Sequence, residues 1–182
     1  MRYRNWIALF SQTGSEIVNL SSALNRAPDF VISNADLDQV NPNVHVDFRL
    51  NNEEAKTLDI LENLDFNIDK TLITLNGWLR IVPPDKCNNY NIYNGHPGLI
   101  TKYPELKGKD PQQRAWDNIN NYNLIGSVVH RVVEEVDAGE ITSEEMISTK
   151  YISSLDATYN ALRTTSFDAW YRFLKERLYN KV

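Results

Sequence analysis

Short apolar runs that alternate with helix-like segments fill the first half of the chain, and this alternation constrains the fold most. Strands are predicted at NWIALFS (5–11), DFVISNA (29–35), NVHVDF (43–48), KTLITLNGW (70–78) and YNIYNGH (90–96). Apolar residues at helical spacing predict helices over 15–24 and 52–64. Strand and helix repeated with short links predict an α/β fold, a Rossmann-like, mainly parallel sheet flanked by helices.

The second half of the chain has a different pattern. A helix is predicted from Pro111, and two longer strands are predicted at IGSVVHRVVEEV (125–136) and EEMISTKYI (144–152). The stretch from SLDATYN to Val182 is predicted to be a long helix, with Ser153 or Ser154 as its cap. No repeat, low-complexity tract or linker interrupts the sequence. We therefore expect residues 1–182 to form a single domain.

Charge and cysteine content narrow the classes of partner and compartment. The net charge of −5 disfavours nucleic acid and anionic membranes as partners. The single cysteine, Cys87, cannot form an internal disulfide, which fits a reduced, cytoplasmic setting. The sequence has no cluster of Cys and His ligands, so no metal is expected. The basic N-terminus leads into a short apolar run, which is interpreted as a first strand and not as a signal or membrane segment.

The stretch SQTGSEI (11–17) joins the first strand to the first helix. Free backbone N–H groups and the helix dipole at such a turn can bind an anion. One glycine, Gly14, is far short of a nucleotide-binding loop, so an ordinary strand-to-helix turn is the simpler interpretation. Ser15 is predicted to cap the helix, and Glu16 falls in its first turn.

Asn94 and His96 lie two residues apart at the end of a predicted strand. Residues at this spacing point to the same side of a strand, so the two side chains can converge on one ligand atom. An amide and an imidazole suit the stabilisation of a tetrahedral oxyanion. No Ser or Cys is paired with His96 in the sequence, so covalent catalysis is not implied. A lone His96 would more often be structural, but the pair favours a functional role.

Asp137 follows the strand at 125–136 and precedes Ala-Gly. Its carboxylate can turn inward to the site, or it can serve as an ordinary polar turn residue. His130, within the same predicted strand, is interpreted as structural. His45 has no identifiable partner in the sequence.

Two segments resemble the folate-dependent formyltransferases, most closely the branch that acts on glycinamide ribonucleotide. The first is YNGHPGLITKYPELKG (93–108), which has the family's Asn-x-His-Pro stretch; the second is IGSVVHRVVEEVDAGEI (125–141), which has its Asp-x-Gly. Asp137 lies 41 residues after His96 (137 − 96), as the family spacing requires. The resemblance implies transfer of a formyl group from 10-formyltetrahydrofolate to a small primary amine, without a metal. The active site is expected at the carboxyl ends of strands near 75–82 and 90–96.

The resemblance also implies a role for each matching residue. Asn94 and His96 would hold the oxyanion, and Asp137 would raise the pKa of His96 toward its protonated form. Residues expected to hold the folate are Leu79, Arg80, Val82, Val133, Glu134 and Glu135. Residues expected at the phosphate of the amine substrate are Gly14, Ser15 and Glu16.

Some residues depart from the family pattern and leave the identity of the amine acceptor open. Glu16 stands where this branch usually has Asn, and a carboxylate beside a phosphate is repelled unless it points away. Gly95 stands where the family usually has a branched apolar residue. Phosphoribosylglycinamide is the expected acceptor. The alternatives are an amino-sugar nucleotide as acceptor, or a non-catalytic relative that only binds folate or phosphate.

Overall fold

The computed structural model describes residues 2–179 of the chain, and seven strands lie within them. The strands are β1 (Asn5–Phe10), β2 (Phe30–Ser33), β3 (Phe48–Arg49), β4 (Thr71–Leu75), β5 (Ile92–His96), β6 (Leu124–Arg131) and β7 (Ile141–Ser148). The α-helices in the same residues are α1 (Ser15–Leu24), α2 (Asn52–Thr57), α3 (Ile60–Asn63), α4 (Pro84–Asn89), α5 (Pro111–Asp117) and α6 (Leu155–Leu178).

The strands form one sheet in the order β3-β2-β1-β4-β5-β6-β7. Neighbouring strands run parallel from β3 to β5, whereas β6 is antiparallel to both β5 and β7. The predicted α/β fold with a mainly parallel sheet is therefore confirmed. The strand order reverses at β1, which pairs with β2 on one side and β4 on the other. In sheets of this kind, ligand clefts form beyond the carboxyl ends of the strands near such a reversal.

Strand β1 shows how the core is divided between the two faces of the sheet. Trp6, Ala8 and Phe10 pack on the face covered by α1 and α6, and Ile7 and Leu9 pack on the face covered by α2, α3 and α4. All five side chains are fully buried. A strand buried on both faces has a continuous apolar run in place of an alternating one, as this segment of the sequence does.

The third strand is much shorter than predicted. Strand pairing is limited to Phe48–Arg49, whereas the sequence predicted a strand over 43–48. A turn precedes it, because the backbone N–H of Val44 donates to the carbonyl of Asn41 at 3.0 Å. The side chain of Asn41 also accepts from the backbone N–H of Asn43 at 2.9 Å, which closes the turn further.

The helical segment predicted over 52–64 is divided into α2 and α3. Leu58 ends α2 in the left-handed region with φ of 55°, and its side chain is fully buried. Asn51 caps the start of α2 and forms a capping box with Glu54. Helical spacing of apolar residues does not reveal a left-handed residue, so the break was missed.

Two boundaries near the predicted active site also differ from expectation. The cap of α1 is Gly14, with φ of 71°, and Ser15 is the first helical residue and not the cap. Strand β4 ends at Leu75, because Gly77 turns the chain with φ of 75°. Residues 76–83 therefore form an irregular segment after β4 and do not extend a strand to 82.

Helix α6 packs against the sheet over most of its length. Ser154 caps it by accepting from the backbone N–H of Ala157 at 3.1 Å, which selects Ser154 from the two predicted caps. Trp170 and Phe173 anchor it to the sheet and are almost fully buried. The predicted continuation of the helix over 180–182 lies outside the described residues. Among the described residues, no helix combines the length and apolar composition that crossing a membrane requires.

Candidate active site

A cleft of about 600 Å³ opens at the carboxyl ends of β4 and β5. Its walls come from the segment after β4, the end of β5, residues 108–112 and the loop between β6 and β7. This is the edge of the sheet at which the sequence predicted the active site.

Asn94 and His96 lie near the end of β5 and both line this cleft. On β5, Tyr93 packs on the α6 side of the sheet and Ile92 packs on the opposite side. Because side chains alternate along a strand, Asn94 and His96 share the face of Ile92. Asn94 is half-buried, whereas His96 is only 5% exposed.

Asp137 turns into the same cleft from the loop after β6. Its backbone is in the left-handed region with φ of 53°, and its side chain is buried. Oδ2 of Asp137 lies 3.3 Å from Nδ1 of His96 and accepts a hydrogen bond of 2.8 Å from the backbone N–H of Gly108. The carboxylate thus faces the imidazole, as the inward alternative requires.

His130 is a further polar residue of the cleft, and the sequence interpretation treated it as structural. It pairs with Asn94 across the antiparallel β5 and β6 strands. Its Nε2 lies 3.3 Å from Oδ1 of Asp137 and 3.4 Å from Nδ2 of Asn94. Its Nδ1 donates to the backbone carbonyl of Arg131 at 2.9 Å. The strand register gives His130 this position, and no local motif in the sequence reports that register.

The imidazole of His96 has an acceptor on each side. Nε2 donates to the backbone carbonyl of Leu106 at 2.9 Å, so this nitrogen carries the proton when the ring is neutral. Burial lowers the pKa of His96 below its ordinary value, and the opposing effect of Asp137 does not overcome it. The prediction that the pKa of His96 is raised was therefore wrong for the free protein, because the loss of solvation outweighs the carboxylate.

For the carboxyl group of Asp137, hydrogen bonds and neighbouring charges outweigh the effect of burial on the pKa. Burial raises its pKa, but the hydrogen bond from His130, the neighbouring His96 and the N–H of Gly108 outweigh burial. The pKa is lowered to about 2, so Asp137 is ionised at neutral pH. The cleft therefore holds an anion between two imidazoles, which suits the stabilisation of positive charge that forms on an imidazole during a reaction.

Most residues expected to contact a folate lie along the cleft. The cleft lining includes Leu79, Arg80, Val82, Val133 and Glu134. Val82 is buried, and Leu79 is 65% exposed at the entrance, where Ile81 and Val136 are exposed as well. Such exposed apolar side chains on two facing segments can cover the rings of a planar ligand. The lining described within residues 2–179 does not include Glu135.

Gly14, Ser15 and Glu16 lie outside this lining, at the start of α1. The neighbouring Gln12 lines the cleft, so the turn is next to it along the chain. The hydroxyl of Ser15 accepts hydrogen bonds of 3.0 Å from Thr13 Oγ1 and from Asn41 Nδ2. The structure therefore does not bring the start of α1 into direct contact with Asn94, His96 and Asp137.

The side chain of Glu16 points into the protein. Oε2 accepts from Asn76 Nδ2 at 3.0 Å, and Oε1 accepts from Ser166 Oγ at 2.7 Å. Burial raises the pKa of Glu16, although the hydrogen bonds from Asn76 and Ser166 lower it in part. The partners come from the end of β4 and from α6, so this carboxyl links three elements beside the cleft.

Gly95, between the two polar residues of β5, is in contact with Trp170 of α6. A Cβ atom at Gly95 would lie 2.3 Å from Nε1 of Trp170 and 2.8 Å from Cε2. Nε1 of Trp170 is buried and has no hydrogen-bond partner within residues 2–179. The indole therefore occupies the space that a side chain at position 95 would need, which accounts for the glycine there.

No group of three or more His, Cys, Asp or Glu side chains within residues 2–179 is arranged to hold a metal ion.

The fold and the cleft define an α/β protein with an amide, two imidazoles and a carboxylate at the carboxyl ends of its strands. The sequence profile of the formyl transferase family matches residues 5–172. The chain therefore belongs to the formyl transferase family, as the sequence resemblance predicted.

Among curated relatives, a phosphoribosylglycinamide formyltransferase of Dictyostelium discoideum is 34% identical over an alignment 101 positions long, which covers 49% of this chain and 48% of the relative. A formyltetrahydrofolate deformylase of Bacillus subtilis (strain 168) is 27% identical over 131 residues, 71% of this chain and 41% of the relative. The chain thus spans less than half the length of these two curated relatives.

Solved structures of similar proteins support the fold. A glycinamide ribonucleotide transformylase 1 from Geobacillus kaustophilus superposes with a TM-score of 0.75 at 19% identity, covering 97% of this chain and 100% of that one. A formyltetrahydrofolate deformylase from Pseudomonas syringae pv. tomato superposes with a TM-score of 0.69 at 18% identity, covering 95% and 60%.

Proposed function

We propose that this protein transfers the formyl group of 10-formyltetrahydrofolate to a primary amine, with phosphoribosylglycinamide of purine biosynthesis as the expected acceptor. The observation that carries the proposal is the convergence of Asn94, His96 and Asp137 in one cleft of a formyl transferase family member. The Dictyostelium relative is a phosphoribosylglycinamide formyltransferase, which supports this choice of acceptor.

In this proposal the amine nitrogen attacks the formyl carbon, and the carbonyl oxygen becomes an oxyanion. The amide N–H of Asn94 and the Nε2–H of His96 are the donors for this oxygen. Since Leu106 already accepts from Nε2, the oxyanion competes with that carbonyl for the proton. Asp137 stabilises positive charge that develops on His96. The bond from the formyl carbon to the folate nitrogen then breaks, and a proton moves from the amine to that nitrogen. The products are the N-formylated amine and tetrahydrofolate.

For the folate, we propose a site between the two segments that flank the cleft. Leu79, Arg80 and Val82 form one wall, and Val133 and Glu134 form the other. Glu135 belongs to the same proposed loop but lies outside the cleft lining of the described residues. No metal is required, because proton transfer and hydrogen bonding supply the charge stabilisation.

For the amine substrate, we propose that its phosphate binds at the start of α1, near Gly14 and Ser15. Backbone N–H groups and the helix dipole favour an anion there. Glu16 does not oppose this directly, because its carboxyl is turned toward Asn76 and Ser166.

The second candidate is hydrolysis of the same folate, with water as the acceptor in place of the amine. The observation that favours it is the match to the Bacillus deformylase, which extends over 71% of this chain. Water can reach the same formyl carbon in the cleft, so the residues at the reaction centre do not decide between the two reactions.

A single assay tests both reactions. The protein is incubated with 10-formyltetrahydrofolate alone, with phosphoribosylglycinamide, and with an amino-sugar nucleotide, and the release of tetrahydrofolate and formate is followed. Release that depends on the amine, without formate, supports transfer. Formate release without an amine supports hydrolysis. Folate binding without either product would support a binding-only relative and would contradict an enzymatic role.

A further inference from the structure

Three consecutive backbone carbonyls converge on the guanidinium of Arg114. Nη1 donates to the carbonyl of Glu105, and Nη2 donates to the carbonyls of Leu106 at 3.0 Å and Lys107 at 2.7 Å. These carbonyls lie at the end of the short 3₁₀ turn Pro104–Leu106. Carbonyls at the end of a helical turn have no partner within it, so a cation there is favourable.

The same short segment contacts two of the proposed catalytic residues. The carbonyl of Leu106 accepts from Nε2 of His96 at 2.9 Å, and the backbone N–H of Gly108 donates to Oδ2 of Asp137 at 2.8 Å. The oxygen of Leu106 is therefore shared between Arg114 and His96. The side chain of Leu106 is buried, which fixes the segment from its other side.

We propose that Arg114 is a positioning residue of this active site, which orients the imidazole of His96 through the carbonyl of Leu106 and holds Gly108 against Asp137. The proposal rests on the proposed function, because it assigns Arg114 a role in that reaction. Arg114 itself donates to no side chain of the reaction centre among the described residues.

The geometry of the guanidinium explains why arginine occupies this position. Its planar fork can donate to three adjacent carbonyls at once, whereas the ammonium of a lysine is a single point charge. By holding the carbonyl of Leu106 in place, Arg114 fixes the proton of the neutral His96 ring on Nε2. Nδ1 is then left facing the carboxylate of Asp137, at 3.3 Å.

The positive charge of Arg114 also lowers the pKa of His96. The charged and titratable groups that face His96 are Asp137, His130 and Arg114. Burial lowers the pKa of His96 most, Asp137 raises it, and the electrostatic effects of His130 and Arg114 lower it. Removal of the Arg114 charge is therefore expected to raise the pKa of His96, in addition to loosening the orientation of its ring.

The test uses two variants at this position and a matched control on the same helix. Arg114→Gln removes the charge and the fork, and Arg114→Lys keeps the charge but not the fork. Gln113→Ala is the control, because the side-chain hydrogen bond that Gln113 makes among the described residues goes to Asp117 on the same helix, at 2.8 Å. Each protein is assayed for kcat and KM, and the imidazole of His96 is followed by ¹⁵N NMR across pH in the free protein.

We expect Arg114→Gln to lower kcat by at least about tenfold with KM values within about threefold, since small misplacements at a reaction centre are costly. In this variant the His96 signals should show a second neutral tautomer and a raised pKa. Arg114→Lys should show the tautomer change with a smaller shift of the pKa, and Gln113→Ala should match the wild type.

Wild-type His96 signals in both Arg114 variants would overturn the proposal, even if kcat falls, because a general loss of stability does not require a tautomer change. If Arg114→Gln does not fold, Arg114→Lys decides, and a wild-type kcat with an unchanged tautomer overturns the proposal. The NMR measurement needs no substrate. If the wild-type protein shows no turnover, the proposed function fails, while the effect of Arg114 on His96 is still measured.

Discussion

Oδ2 of Asp137 lies 3.3 Å from Nδ1 of His96, and both side chains are buried beside the cleft. Asp137 is ionised at neutral pH, because its pKa is lowered to about 2. His96 is neutral there, because burial lowers its pKa. In the proposed reaction, positive charge on the imidazole would therefore develop next to an existing negative charge.

Replacement of Asp137 by Asn tests this pairing. Asp137→Asn keeps the shape of the side chain and removes the charge that would stabilise the imidazolium. We expect kcat for formyl transfer to fall about a hundredfold or more, with a much smaller change in folate affinity. The measurement is steady-state kinetics together with folate binding by calorimetry. Near-normal kcat in a folded variant would reduce Asp137 to a turn residue.

The double variant provides the control for this assignment. We expect His96→Ala to cost at least as much as Asp137→Asn. The combined variant should lose less than the product of the two losses, because groups that act as a unit are not additive. Independent, multiplicative losses would contradict a coupled pair.

The lowered pKa of His96 predicts a pH dependence of stability. The unfolded chain takes up a proton near pH 6.5, whereas folded His96 does so only at lower pH. The unfolded state therefore binds more protons, and the free energy of unfolding falls as pH is lowered from 7 toward 5. One such proton contributes no more than about 1.4 kcal/mol per pH unit. Urea unfolding of His96→Gln should show a shallower slope than the wild type, and an equal slope would contradict the assignment.

The close approach of Gly95 to Trp170 predicts that a larger side chain at position 95 destabilises the protein. In Gly95→Ala, the new methyl group would meet the indole at 2.3 Å, so Trp170 or the strand must move. We expect a loss of about 1–3 kcal/mol in the free energy of unfolding, as is typical of overpacking. In a Trp170→Phe background, the same change should cost less, because the clashing part of the ring is absent. Equal costs in both backgrounds would show that the indole is not the obstacle.

The raised pKa of Glu16 predicts that its effect on the free energy of unfolding changes with pH in the direction opposite to that of His96. Its pKa is raised in the folded state, so ionisation destabilises the folded protein, and this loss develops as pH rises through that pKa. Glu16→Gln cannot ionise and can still accept from Asn76. The stability of Glu16→Gln relative to the wild type should therefore increase between pH 5 and pH 8 in urea unfolding. A constant difference across that range would contradict a raised pKa.

The central parallel strands β1, β2 and β4 were predictable because they are buried on both faces and their runs of buried residues are nearly continuous. The extent of α1 over 15–24 followed from apolar spacing, although its cap is Gly14 and not Ser15, and the start of α5 followed from Pro111. The strand predicted at 43–48 was wrong over 43–47, because a turn involving Asn41 and Val44 is not visible in apolar spacing. The break at Leu58 was missed for the same kind of reason.

At the site, the residues found from sequence were those with a local motif, such as Asn94 and His96. The position of His130 depends on the register between β5 and β6, which no single segment reports. The bond from Ser166 to Glu16 joins residues 150 positions apart. Arg114 acts through backbone carbonyls, and such contacts leave no signal in residue type.

The most direct test of formyl transfer is a single-turnover measurement with the formyl carbon of 10-formyltetrahydrofolate isotopically labelled. The protein is present in excess over the folate, phosphoribosylglycinamide is added or omitted, and the label is located in the products. We predict that the label moves to the formamide only when the amine is present, and that His96→Ala slows this step at least about a hundredfold. Label recovered as formate without the amine, or label that stays on the folate, would contradict formyl transfer as the function.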